Sequence, residues 1–144
     1  ALVEEFIVGR EINVALWGNG RPQVLPISEI NFEWTDDPLQ KIVSFDSKWV
    51  KTSPEYSGTP ARCPAKLTTR ERNRIEAAAI SMYSAVKVHG YARVDMRLRD
   101  GQPYVLEVNA NPDLSLDAGF FRSASAAGYS YPGMLAEILR LSLM

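Results

Sequence analysis

The chain has 144 residues, 46% of them hydrophobic, which is enough to enclose one ordinary core in a single domain. Lys and Arg number 16 against 17 Asp and Glu, and a net charge of −1 argues against a general nucleic-acid or acidic-membrane partner. No apolar run approaches the ~20 residues a membrane span requires; the lone cysteine, Cys63, excludes an intrachain disulfide and points to a reducing, cytoplasmic setting.

The sequence opens without Met, directly in strand-like residues, and reads as the C-terminal part of something longer. Residues 2–8, 11–17 and 24–32 are rich in β-branched and aromatic side chains and predict strands, with Gly9-Arg10 and Gly18-Asn19-Gly20 as turns. A further extended run, 42–45, leads to Lys48. The turn formers of 51–61, "KTSPEYSGTPA", predict a mobile surface loop. Thr68 and Glu71 have capping-box spacing and open a helix. Its buried stripe is expected to be Ile75, Ala78, Ala79, Met82 and Val86, and Gly90 is expected to stop it in the C′ position. A hairpin follows, then a short helix capped by Asp117 and running to Ala127, then an amphipathic helix over 131–143. Strands first, then helices on one side, predict an α+β fold.

The hairpin, "YARVDMRLRDGQPYVLEVNANPDL" (91–114), carries the chemistry. Val94, Met96 and Leu98 alternate with Arg93, Asp95 and Arg97; Tyr104, Leu106 and Val108 alternate with Val105, Glu107 and Asn109. If both even-numbered sets face the core, paired residue numbers sum to an even number, and the turn at Asp100-Gly101 is expected to be a three-residue loop. Arg93, Asp95, Glu107 and Asn109 then share the other face. Two carboxylates and an amide oxygen so close together repel unless a cation lies between them, and Mg²⁺ suits such a set because it keeps water and phosphate oxygens in its remaining positions. The simpler alternative is a solvated hairpin face with Arg93 paired across to Glu107.

"RVD" followed by "LEVNANP" resembles the metal-binding hairpin of ATP-grasp ligases, and "VEEFIVGREINVAL" resembles their nucleotide-binding hinge. "FDSKW" and "CPAKL" are similar to the D-alanine–D-alanine ligase branch, and the likeness covers nearly the whole chain. The resemblance implies the C-terminal ATP-grasp subdomain, an antiparallel sheet backed by helices, in an ATP- and Mg²⁺-dependent carboxylate–amine ligase, with Mn²⁺ as an alternative metal. It implies Asp95, Glu107 and Asn109 as metal ligands, Arg93 beside the transferred phosphate, and Lys48 in contact with phosphate or substrate. It further implies Glu4, with the backbone at Glu5 and Ile7, on the adenine and Glu11 on the ribose. Its partners would be small carboxylate and amine substrates and the remaining N-terminal part of the enzyme, and the family resemblance allows a homodimer. The glycine-rich phosphate loop of the family is absent from this chain. Where D-alanine ligases read Asn-x-Ser-Pro-Gly, this sequence reads Asn109-Ala110-Asn111-Pro112-Asp113, which argues for a related ligation rather than one using D-alanine. The rival reading is a catalytically incompetent fragment or interaction module that keeps the fold.

Other residues read as structural. Cys63 has no basic partner nearby in sequence and is expected to pack. Trp17, Trp34 and Trp49 lack a stacking spacing and are expected to pack as well. Asp113 and Asp117 are expected to serve as turn formers or caps, the alternative being selection of an amine substrate. His89 is assigned no catalysis.

Overall fold

The computed structural model describes residues 3–144. Six antiparallel strands form one sheet: β1 (Arg10–Gly18), β2 (Gln23–Val24), β3 (Ser28–Ile30), β4 (Ala61–Arg62), β5 (Gly90–Arg99) and β6 (Gln102–Asn109). Their order is β4-β3-β1-β5-β6, with β2 added on β1. Among the described residues a short 3-10 helix (Pro38–Gln40) and five α-helices accompany them: α1 (Phe45–Trp49), α2 (Pro54–Ser57), α3 (Thr69–Ala85), α4 (Gly119–Ala126) and α5 (Tyr131–Ser142). Among the described residues, no helix is long and apolar enough to cross a membrane.

The central strands decide how the helices pack. On one face Ile12, Val14 and Leu16 of β1 join Val94, Met96 and Leu98 of β5, and α3 covers them with Ile75, Ala79 and Tyr83. The α3 stripe therefore runs through Tyr83 rather than Met82 and Val86, and Val86 is half exposed. The Tyr83 hydroxyl donates to the Gly18 carbonyl at 2.7 Å, which lets a polar tip end inside the core.

The other face of β1 is divided by its sequence. Glu11 and Asn13 come first, Ala15 and Trp17 second. Only the apolar half is covered, by Phe120 and Ala124 of α4 and Met134 and Leu141 of α5. Helices thus lie on both faces, not on one side as the element order suggested. The reason is that Ala15, Trp17 and Leu25 form a second apolar surface that has to be buried. Neither α4 nor α5 covers the polar half of that face.

Local signals explain the remaining departures. Residues 3–8 form no strand, and regular pairing begins at Arg10; Leu2 lies outside the described residues. The run 24–32 is broken into β2 and β3, with Pro26, which has no N–H to give a ladder, between them. Residues 42–45 are not an extended run, because Ser44 caps α1 by accepting from the Ser47 N–H. The 51–61 segment carries structure: Ser53 caps α2 with Pro54 in its first turn, and Ala61 enters β4. Asp117 does not cap α4. Ala118 holds that position without a side-chain bond, while Ser130 caps α5.

The capping box of α3 forms as its spacing predicts, with Thr68 N–H donating to Glu71 at 2.8 Å and Glu71 N–H donating to Thr68 Oγ1 at 3.2 Å. Its C-terminus differs from expectation. Lys87, at φ 55°, is the left-handed C′ residue, and Gly90 instead opens β5. The N–H of Lys87 reaches Ser84 and that of Val88 reaches Tyr83, the paired bonds of a Schellman ending. A lysine there pays the Cβ penalty that glycine avoids. Lys87→Gly is accordingly expected to stabilise the domain by up to about 1 kcal/mol, read as a higher urea midpoint. A lower midpoint would contradict this.

Candidate active site

The hairpin reaches its site by a route the sequence pattern did not predict. Its turn is two residues long, and Asp100 (φ 53°) and Gly101 (φ 72°) are both left-handed, as a tight primed turn requires. Next to the turn the pairs are Arg99–Gln102, Arg97–Tyr104 and Met96–Val105. A β-bulge then shifts the register, giving Asp95–Glu107, Val94–Val108 and Arg93–Asn109. The expected three-residue loop is therefore replaced by a two-residue turn and a bulge, which insert the same extra residue in a different place. The even-sum pairing holds at Arg93, Asp95, Glu107 and Asn109. It fails at the turn end: Val105 and Val108 pack against the core, whereas Leu106 is 53% exposed on the site face.

Asp95 is the best-held acid of that face. Arg93 Nε and a terminal nitrogen fork its two oxygens at 2.7 and 2.6 Å, and Asn13 of β1 donates to it at 2.8 Å. Glu107 lies across from it with a more exposed side chain, 3.9 Å from Arg93. Burial and then the neighbouring Asp95 push the Glu107 carboxyl above its ordinary value, against the pull of Arg93 and Lys48. Arg93 thus pairs mainly along its own strand, with Glu107 as a second, longer contact. Asn109 accepts from the Asn111 N–H at 2.9 Å, and that small turn leads the chain away from the sheet.

Glu11 is buried on the same face, and burial raises its carboxyl while Arg97 opposes the shift from 3.2 Å. Lys48, exposed in the last turn of α1, lines both of the cavities that open here. The first, about 360 Å³, is bounded by Phe6, Ile7, Glu11, Arg97, Leu106 and Glu107. The second, about 570 Å³, has Arg93, Asn109, Trp49, Tyr56, Asp117 and Arg122 among its walls.

The structure brings Lys48, Glu11, Ile7, Arg93, Asp95, Glu107 and Asn109 to one open face. Glu5 borders the first cavity but spends its carboxylate on Arg99 at 3.1 Å, and Glu4 is exposed and lines neither cavity. Trp49, expected to pack, is 67% exposed at the cavity wall. Cys63 does pack, its thiol donating to the Pro26 carbonyl at 3.3 Å.

Three contributors were missed in the sequence. Asn13 and Arg97 were legible as polar residues at odd positions of otherwise apolar strands. Leu106 was not, because a bulge leaves no signal in simple alternation.

The donor set suits a small hard cation. Asp95 and Glu107 are an opposed carboxylate pair, and Asn109 adds an amide oxygen two pairs along the ladder, the next position on the same face. Among the described residues, no group of three His, Cys, Asp or Glu could form a softer, all-protein cage. Mg²⁺, which takes one or two carboxylates and completes its shell with water and phosphate oxygens, fits what is present.

Gly9 lets the segment that carries Phe6 and Ile7, two wall residues of the first cavity, lie close against β5. A Cβ there would collide with the Leu98 carbonyl oxygen and fall 2.9 Å from the carbonyl carbon, both fixed in β5. Gly9→Ala is expected to lift residues 3–9 from the sheet at a cost of about 1–3 kcal/mol, seen as a lower melting temperature. An unchanged melting temperature would show that this close approach is not needed.

A family model described as the D-ala D-ala ligase C-terminus matches residues 1–140. The chain belongs to that family. A D-alanine–D-alanine ligase from Janthinobacterium sp. (strain Marseille) is 34% identical over 144 residues, covering 98% of this chain and 42% of the relative. An uncharacterized protein of Sinorhizobium fredii, y4sG, is 38% identical over 140 residues, covering 96% of this chain and 40% of that protein. Among solved structures, the D-alanine–D-alanine ligase from Bacillus anthracis complexed with ATP superposes with a TM-score of 0.74. It is 31% identical, over 97% of this chain and 40% of that one. The family's C-terminal unit therefore spans nearly all of this chain, while the chain spans about 40% of the length of these relatives. Its mixed antiparallel sheet and helices match the ATP-grasp domain of those ligases.

Proposed function

We propose that this chain supplies the nucleotide hinge and metal-binding face of an ATP- and Mg²⁺-dependent ligase that joins a carboxylate to an amine through an acyl phosphate. The observation that carries the proposal is the Asp95–Glu107 pair, flanked by Arg93, Glu11 and Lys48 on the half of the sheet that α4 and α5 leave open. Membership of the ligase family, and likeness to a relative solved with ATP, support the reading.

In this mechanism the first cavity takes the base and sugar. Phe6, Ile7 and Leu106 offer apolar walls to the purine, and Glu11 accepts from the ribose hydroxyls. Asp95, Glu107 and Asn109 would hold the metal. Bound there, Mg²⁺ supplies charge neutralisation for the phosphoryl oxygens. Arg93 and Lys48 add fixed positive charge around the transferred phosphoryl group. The substrate carboxylate attacks the γ-phosphorus of ATP, ADP leaves, and the amine then displaces phosphate from the acyl carbon. The chain needs no nucleophile of its own, so positioning and electrostatics do the catalysis.

The second cavity suits the acid and amine. Asp113, at the position where D-alanine ligases read Gly, lies among its walls, and its carboxylate is tied to the Ser115 N–H at 2.8 Å. That departure supports an amine or acid other than D-alanine. Phosphate release by the full-length protein, mixed with ATP, Mg²⁺ and a panel of amino acids, tests the proposal. Amine-dependent release is expected; none with any pair would count against a ligase.

A further inference from the structure

Arg97 is the one cation on the site face that is fully enclosed, at 4% exposure, and the chemistry above gives it no role. Its guanidinium lies 5.4 Å from the ring centre of Phe6 and 5.6 Å from that of Phe32, stacked against both. Its nitrogens donate to the Gly9 carbonyl at 3.1 Å and to the Lys41 carbonyl, and pair with Glu11 at 3.2 Å. One side chain therefore ties four segments: the hinge through Phe6 and Gly9, β1 through Glu11, the end of the β3 segment through Phe32, and the approach to α1 through Lys41. A methionine or leucine would fill the same space more cheaply, because burying a cation costs desolvation that a hydrophobe does not incur. The expense buys orientation. Five donors on separate nitrogens in a fixed plane can hold a carboxylate and two carbonyls at once, whereas the three donors of a lysine share one nitrogen and cannot span the same positions.

We propose that Arg97 is a positioning residue for the nucleoside end of the ATP site, fixing the Glu11 carboxylate toward the ribose and the hinge toward the base. The inference rests on the nucleotide reading of Glu11 and the hinge proposed above. Arg97 itself touches no phosphate, since its donors are turned to the hinge, Glu11 and Lys41 rather than to the Arg93–Asp95 end of the face.

The test is equilibrium titration of the full-length protein with MgATP, with adenosine and with Mg-tripolyphosphate, using wild type, Arg97→Met, Glu11→Gln and the double variant. Arg97→Met is expected to weaken MgATP and adenosine by the same factor, about tenfold or more, and to leave tripolyphosphate within about twofold. The double variant should bind no worse than the weaker single variant, because both changes remove one coupled unit. Should the Met protein not fold, Arg97→Lys carries the test. It keeps the charge, but its donors share one nitrogen and cannot reach all three partners of the planar guanidinium, so a loss of about threefold in ATP and adenosine alone is expected. Equal weakening of tripolyphosphate would overturn the proposal in favour of a purely structural role. So would Glu11→Gln weakening ATP while neither Arg97 variant does, which would leave the nucleotide reading standing. If Glu11→Gln leaves ATP binding unchanged, that reading of Glu11 falls and the role of Arg97 falls with it.

Discussion

Glu107→Gln in the full-length protein is expected to cut ATP-dependent phosphate release by ~10³-fold while leaving the fold no less stable. The substitution is nearly isosteric and most of the side chain is exposed, so a stability change beyond about 0.5 kcal/mol is not expected. The small change should even be favourable without metal. Burial and the neighbouring Asp95 disfavour the charged form of Glu107, and glutamine removes that charge. Activity moves the other way. The proposed metal ligand is lost where charge on the phosphoryl oxygens is to be neutralised, and about 4 kcal/mol of transition-state stabilisation corresponds to the stated factor. Rates measured beside thermal melts separate the two effects. Equal rates would restore the simpler view of a solvated hairpin face.

Arg93→Met should damage both stability and rate. Arg93 forks Asp95 at 2.7 and 2.6 Å and also lies 3.9 Å from Glu107, so it balances two carboxylates at once. Its removal leaves Asp95, 11% exposed, with Asn13 as its remaining donor. Breaking a fully buried pair costs about 3–5 kcal/mol; Arg93 keeps a fifth of its side chain in solvent, and about 2 kcal/mol is the expected loss. The rate should fall by a further ~10²–10³-fold, the scale on which a fixed donor at developing charge contributes. Mg²⁺ should recover part of the lost stability, because it can replace the guanidinium between the two acids. Denaturant titrations with and without Mg²⁺ check this. A variant as stable as wild type without metal would mean that the carboxylates do not repel.

These expectations depend on residues that the sequence exposed unevenly. The α3 capping box, the Glu11 strand and the polar odd positions of β5 could all be read from spacing, since each follows a local period. The family resemblance supplied the roles assigned to Lys48 and Glu11, which spacing alone left open. The helix α1 was hidden because "IVSF" reads as β-rich, whereas the Ser44 side chain caps a helix there. The second helical layer was hidden for a different reason: β1 switches from polar to apolar partway along one face, and only the tertiary fold shows which half is covered. The bulge at Leu106 was the most consequential omission. It restores the register that places Asp95 beside Glu107, and it turns an expected core leucine into a wall of the first cavity. Arg97 was visible only as one more alternating charge; its burial between two aromatic rings depends on residues 91 and 65 positions away in the chain.

Asp95 and Glu107 are together proposed to bind the metal that accompanies ATP. Mn²⁺, which shares the oxygen preference of Mg²⁺ and is paramagnetic, reports this directly. Water-proton relaxation is measured as MnATP is titrated with full-length wild type, Asp95→Asn and Glu107→Gln. Wild type should give a saturable enhancement, and each variant should shift saturation to at least about tenfold higher protein concentration, in line with the loss of one carboxylate ligand. Identical titration curves for all three proteins would show that the metal of MnATP does not rest on this hairpin, and the account would be wrong.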